Sequence, residues 1–438
     1  MKQLVLATGV VLLSFVILAS MSDHAEAIPS FARKYETSCA TCHTGFPKLN
    51  SFGEAFRQNG FQYPADDEQM VREEPVSMGA EAYKQVWPRA IWPGAIPGNI
   101  PLSFRALSGF TYDPDAKITS TFVPPTLQIM SGGTMGEEVS FFIGAHLFEE
   151  GELGSIDRFY LKLDNMFSSL LPEKALYLRA GQFIPELVPF ASTHRSLTST
   201  PYAFNTYDLS LGESFAAEHF HGSGPFGIEN FQLGVEASGI LAARTRYVVG
   251  VVNGSGTVVD DNNAKDGYFR LAHKVGGMDY TGNWPDGVEP YGGTGKNWVE
   301  KSVMVGVFGY KGARNNMEAV GQEDLELYRL GSDFSLHYRD INLYGGYIYG
   351  NDERVVEAAQ RRQEYHLFFA EGNYMVYPWL IGVLRYEQAY PDGYSTIRRI
   401  VPNITALFRA NIKGIVEVPL DPETGDPEEV LVGFDFGF

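Results

Sequence analysis

From about residue 100 to its end, the chain is a succession of segments of about ten residues in which apolar and polar side chains alternate, separated by clusters of Gly, Asn, Asp and Pro. We count sixteen, near 102-112, 121-131, 138-148, 156-166, 174-183, 231-241, 243-254, 266-276, 301-311, 327-338, 340-350, 363-374, 379-389, 397-408, 410-420 and 429-438. A tilted strand needs about 9–11 residues to cross a bilayer, and bacterial outer-membrane barrels use an even number of them. The expected fold is therefore mainly β: an antiparallel barrel of about sixteen strands over residues 99–438, embedded in outer-membrane lipid.

The alternation divides named residues between two surfaces. Tyr328, Leu330, Phe334, Leu336 and Tyr338 fall on one face, and Arg329, Asp333, Ser335, His337 and Arg339 on the other. In the same way Phe159, Leu161 and Leu163 point outward, and Arg158, Lys162 and Asp164 inward. A soluble sandwich alternates too, but connection lengths favour the barrel. Long polar connections (Asn253 to Lys265, Gly350 to Arg362) alternate with short ones (Ala242, Arg339 to Asp340, Met375 to Pro378). The short turns and both termini then lie in the periplasm. Residues 277 to 300 break the rule, so either the registry differs there or this segment caps the barrel from beneath. Val430, Val432, Phe434, Phe436 and Phe438 end the chain on an alternating apolar face with a terminal aromatic, as outer-membrane barrels do.

Composition removes other classes. A formal charge of -19 argues against nucleic acid as a partner, and a mean hydropathy of -0.14 leaves no room for a bundle of transmembrane helices. Residues 1–27 begin with Lys2, run through an apolar stretch and reach Ala25-Glu26-Ala27, the pattern of a cleaved signal peptide.

Residues 28–98 carry the chemistry. Both cysteines lie in Cys39-Ala40-Thr41-Cys42-His43. At this spacing two thiols add to the vinyl groups of one haem c, and the adjacent imidazole binds its iron. Zinc would need a second pair of ligands, and a thioredoxin-type pair would need a surrounding βαβ unit. Phe46, Leu49, Phe52 and Phe56 form an apolar stripe on an expected helix, opened by Pro47 and closed by Asn59-Gly60, which would cover the haem. No further His occurs before the first strand, so Met70 or Met78 is the candidate distal ligand, with a barrel-derived ligand or an open iron as the alternatives.

Ile28-Pro29-Ser30-Phe31-Ala32-Arg33, followed by Cys39 to Asn50, Phe52-Gly53 and Asn59-Gly60, resembles the monohaem cytochrome–porin fusions of the outer membrane. The best-known members of that family are iron oxidases of iron-oxidising bacteria. The resemblance implies an electron-transfer cytochrome, acting as an Fe(II) oxidase. It would take electrons from extracellular Fe(II) or another one-electron donor and pass them to a periplasmic c-type cytochrome. Two other classes compete with this reading: a porin or transporter with a haem-bearing plug, and a haem peroxidase.

The longest connection, Ile184 to Asn230, contains His194, His219 and His221 and is long enough to fold back into the lumen. His146, His273, His337 and His366 fall in expected strands, where they should line the lumen.

Overall fold

A computed structural model describes residues 29–64, 67–79, 81–90, 94–149, 153–189, 195–206, 231–254, 262–314, 324–356, 359–393 and 395–438. The expected signal peptide and His194, His219 and His221 lie outside the described residues.

Sixteen antiparallel strands form a closed barrel. They are β1 Leu102–Asp113, β2 Ile118–Thr134, β3 Val139–Glu149, β4 Ile156–Leu163, β5 Tyr177–Phe183 and β6 Gln232–Leu241. Next come β7 Thr245–Val252, β8 Asp266–Gly276, β9 Glu300–Arg314, β10 Leu325–Arg339 and β11 Ile341–Val356. The last five are β12 Ala359–Tyr377, β13 Leu380–Pro391, β14 Ile397–Arg409, β15 Ile412–Glu417 and β16 Val430–Gly437. Strand β16 closes the ring on β1, from Val430 opposite Tyr112 to Gly437 opposite Arg105. At this seam the backbones of Phe104 and Phe438 exchange hydrogen bonds of 2.6 and 2.8 Å, and their rings stack at 5.4 Å. The C-terminal aromatic thus completes the edge that would otherwise stay unpaired.

The expected alternation is present. Leu330, Leu336 and Tyr338 are exposed on the outside, as are Phe159 and Leu161, while Arg329, Asp333, Ser335, Lys162 and Asp164 are buried. Inward charges are neutralised across strands: Arg329 with Asp352, Arg270 with Asp333, and Arg105 with Asp435 at 2.7 Å. Val249, Val251, Phe269, Val303, Val305 and Leu384 extend an apolar outer band, and Tyr338, Tyr374, Tyr377 and Trp379 stand exposed near one rim. An apolar band edged by aromatics suits hydrocarbon bounded by headgroups.

Two of the four strand histidines depart from expectation. His146 is buried in the interior and His337 lines an interior cavity, but His273 and His366 are exposed on the outside. Their positions in the pleat fix this. His273 lies between the inward Ala272 and Lys274, and His366 between the buried Tyr365 and Leu367. Each outward ring has a polar partner, Thr245 at 2.9 Å and Tyr347 at 2.6 Å. The connection 277 to 299 joins β8 to β9 at the end of the barrel that carries the termini. The strand registry therefore holds there, and the segment is a cap.

Candidate functional site

The N-terminal segment is built by short local devices. Helix α1 (Ser30–Lys34) leads to a turn of 3-10 helix, Cys39–Thr41, whose N-cap Ser38 accepts from Ala40 N. His43–Gly45 then pairs with Lys48–Leu49. The helix α2 runs over Ser51–Gln58, shorter than the expected helix opened by Pro47. Phe46 and Leu49 precede it, because the start is set by Asn50, whose Oδ1 accepts from Gly53 N at 2.9 Å. The same amide donates to the Thr41 carbonyl at 3.0 Å, tying α2 to the cysteine turn. Gly53 makes this approach possible, since a Cβ there would lie 2.1 Å from the Cys42 carbonyl oxygen.

His43 follows the two cysteines at the edge of an interior cavity of about 260 Å³. The walls are largely apolar and include Phe31, Phe46, Leu49, Phe61, Phe104 and Phe142, with Arg57, Arg105 and Arg158 among the polar members. The Nδ1 atom of His43 lies 3.2 Å from the Pro47 carbonyl. A carbonyl accepts only from N–H, so this contact places the proton on Nδ1 and leaves Nε2 as a free lone pair. Burial pushes the imidazole down to about 4, partly offset by the Pro47 and Lys48 carbonyls, so it is neutral at ordinary pH. The ring opens onto the cavity while protein surrounds it. Cys39 and Cys42 are half-buried, not joined in a disulfide, and their thiols are pushed up by burial, Cys42 to about 12. A neutral imidazole with a directed Nδ1–H, two unjoined thiols in the turn before it and a largely apolar cavity are the parts a covalently attached haem would use; neither Cys39 nor Cys42 is among the cavity's described lining residues.

The segment sits inside the barrel, at the end that carries the termini. Ser30 N donates to Ser103 Oγ of β1 at 2.8 Å, Lys162 Nζ of β4 to the Gln58 carbonyl at 2.7 Å, and Tyr177 OH of β5 to Asn59 at 3.2 Å. On the far wall the Lys48 ammonium lies 4.2 Å from the ring centre of Tyr344 in β11, and Gly45 abuts Ile381 of β13. The cap closes beneath: Asn297 donates to the His43 carbonyl at 2.9 Å, and the Tyr280 carbonyl accepts from Asn59 at 3.1 Å.

From the other side, residues 195–206 of the connection after β5 fold inward. Thr200 N and Ala203 N donate to Glu417 and Glu387, each at 2.6 Å, and Tyr202 donates to Glu371 at 2.8 Å. Plug and loop meet through alternating charges. Arg57 pairs with Glu186 at 3.3 Å and Glu54 at 3.0 Å, Arg246 of β7 with Glu186 at 2.9 Å, and Arg195 with Glu54 at 3.2 Å. Burial would raise both carboxyls, yet the facing guanidiniums outweigh it and hold them below the usual range.

The other sequence-derived residues are distributed as follows. Phe46 lines the cavity with His43. Phe52 and Phe56 belong instead to an aromatic cluster with Tyr35, Phe61 and Tyr63, against which Met70 packs. Met78 is exposed, and neither Met70 nor Met78 is among the cavity's described lining residues. Sequence reasoning missed Met130 and Gln128, which β2 places on the cavity wall. Their positions, two apart in one alternating segment, were the available signal. Among the described residues no cluster of three or more His, Cys, Asp and Glu forms a metal cage.

Solved structures resembling this chain include outer-membrane proteins and porins. OmpT of Vibrio cholerae, in a mutant lacking loop L8, matches with a TM-score of 0.50 at 10% identity, covering 78% of this chain and 99% of that one. The chain has a porin-type outer-membrane barrel fold. An anion-selective porin from Comamonas acidovorans also gives a TM-score of 0.50, at 11% identity over 77% and 98%. At such identities the likeness is one of fold. No family model matches the sequence, and no curated relative does.

Proposed function

We propose that this porin-type barrel carries electrons across the outer membrane through a single haem c held by Cys39, Cys42 and His43. The observation that carries the reading is the His43 ring, its Nδ1–H on the Pro47 carbonyl, opening onto an apolar cavity inside a plugged lumen. When bound, the haem supplies one-electron redox chemistry. Cys39 and Cys42 would hold it through thioethers, and His43, oriented by the Pro47 carbonyl, would bind its iron. Phe46 would lie against it from the cavity wall, while Phe52 and Phe56 hold α2 in the aromatic cluster. The buried charge pairs keep the plug seated, so that solutes do not follow the electrons. The donor is extracellular Fe(II) or another one-electron donor, the acceptor a periplasmic c-type cytochrome, and the outer band contacts outer-membrane lipid. With Fe(II) as donor the protein is an iron oxidase.

The test is a spectrum of the purified protein after anaerobic addition of Fe(II) at acid and neutral pH. Prompt appearance of a reduced c-type α-band, lost in His43→Ala, supports the reading. A haem that dithionite reduces and Fe(II) does not would remove iron as the donor.

The likeness of the barrel to an anion-selective porin favours a second reading, a porin or transporter with a haem-bearing plug. Conductance of the intact protein in planar bilayers separates the two. A barrel that passes ions while its haem turns over no electrons belongs to the second.

A further inference from the structure

We infer that the thioether of Met130, on barrel strand β2, is the second axial ligand to the iron of the haem proposed above; the inference rests on that reading. Gln128, Met130 and Gly132 alternate along β2 and all face the cavity that His43 faces. The plug is docked on this stretch. Ser103, directly opposite Met130 in β1, accepts the Ser30 backbone N–H, and Lys34 Nζ reaches Thr134 at 3.1 Å. At Gly132 a Cβ would come within 3.1 Å of the Phe31 ring, so its absence lets the plug approach the wall beside Met130.

Chemistry then selects among the described lining residues. A low-spin c-type iron takes imidazole nitrogen or thioether sulfur. His43 is the imidazole of this cavity and Met130 its thioether. The Glu186 carboxylate is taken up by Arg57 and Arg246. His146, one strand further on, has Nδ1 2.7 Å from Asp157 and Nε2 against Gln128, so both ring nitrogens are engaged. Of the two methionines nearer in sequence, Met70 packs against the Tyr35, Phe56 and Phe61 cluster, and Met78 stands exposed with its backbone N–H on the Gly94 carbonyl. The ligand therefore comes from the barrel, and seating the plug completes the iron's coordination.

The experiment uses the full-length, haem-loaded protein and its Met130→Ala, Met130→His and Met70→Ala variants. Covalent haem content and barrel migration on unboiled gels check that each is folded and loaded. The expected result is that the ferric parent shows the weak far-red band of a methionine-ligated c-type haem. Met130→Ala should lose that band and gain carbon monoxide binding in the ferrous state. Met130→His should also lose the band, stay closed to carbon monoxide and show a lower midpoint potential. Met70→Ala should match the parent. A Met130→Ala variant that keeps the band, or loss of the band in Met70→Ala instead, overturns the assignment. A parent with haem but no such band overturns it too, leaving the haem reading intact. A parent without covalent haem removes both.

Discussion

Arg57, on the plug helix, reaches both carboxylate oxygens of Glu186, on the loop that descends into the lumen, at 3.3 Å each. One end of this contact belongs to the segment carrying Cys39, Cys42 and His43, and the other continues through Arg246 into the barrel wall. The pair is therefore a latch between three parts of the chain that are remote in sequence.

Breaking it should open the lumen. Arg57→Ala removes one of the two guanidiniums on each of Glu186 and Glu54, leaving Arg246 on the first and Arg195 on the second, and should cost about 1–3 kcal/mol of plug seating. Planar-bilayer recordings should show a closed parent and a conducting variant. An equally closed variant would show that the latch does not hold the plug.

The latch should also depend on acid in a defined direction. Glu54 and Glu186 have folded pKa values below their ordinary value of 4.5, so their contribution is complete above pH 4.5 and fades as pH falls through the lower folded values. The difference in conductance between parent and Arg57→Ala should hold steady from neutral pH to 4.5 and shrink below it. A difference that shrinks already above 4.5 would contradict this account.

Gly53→Ala tests the close approach of α2 to the cysteine turn. The added methyl would sit 2.1 Å from the Cys42 carbonyl oxygen, against backbone that cannot swing away. Overpacking of this kind costs about 1–3 kcal/mol. Covalent haem per barrel should fall in this variant, and an unchanged yield would show that the turn can shift without loss.

Asn50 separates two roles of one side chain. Asn50→Asp keeps the Oδ1 acceptor for Gly53 N but loses the donor to the Thr41 carbonyl, whereas Asn50→Ala loses both. Loss of an N-cap costs about 1 kcal/mol. Thermal melts should rank the parent above Asn50→Asp and Asn50→Ala lowest. Equal melts for parent and Asn50→Ala would deny the cap any weight.

The outer band should reject charge. Val305 is exposed midway along β9, and Val305→Arg should cost about 2–4 kcal/mol if that surface lies in hydrocarbon. Folding titrations in lipid vesicles measure it. A cost near zero would place the residue outside the apolar layer.

The barrel was legible because a strand repeats every two residues, so a few side chains such as Arg329 and Leu330 fix the facing of a whole segment. His273 and His366 were misplaced where chemistry was followed instead of that parity. The cysteine turn could be read at all because its spacing lies within five consecutive residues, Cys39 to His43. Helix α2 began later than the apolar spacing suggested because a cap residue, Asn50, outweighed Pro47. The Arg57–Glu186 latch and the sharing of one cavity by Met130 and His43 were not legible. They join residues 129 and 87 positions apart, through a lumen whose filling depends on how plug and loop meet.

The stopper and the vessel are one polypeptide, joined through the stretch between Val71 and Pro101. A plug shaken loose by mutation or acid therefore cannot diffuse away. It stays at an effective concentration on the order of millimolar beside its own mouth, and its return is a first-order event. Single-channel traces of loosened variants should flicker at a rate that does not change with protein concentration, and added free plug segment should compete poorly with the one already tethered there.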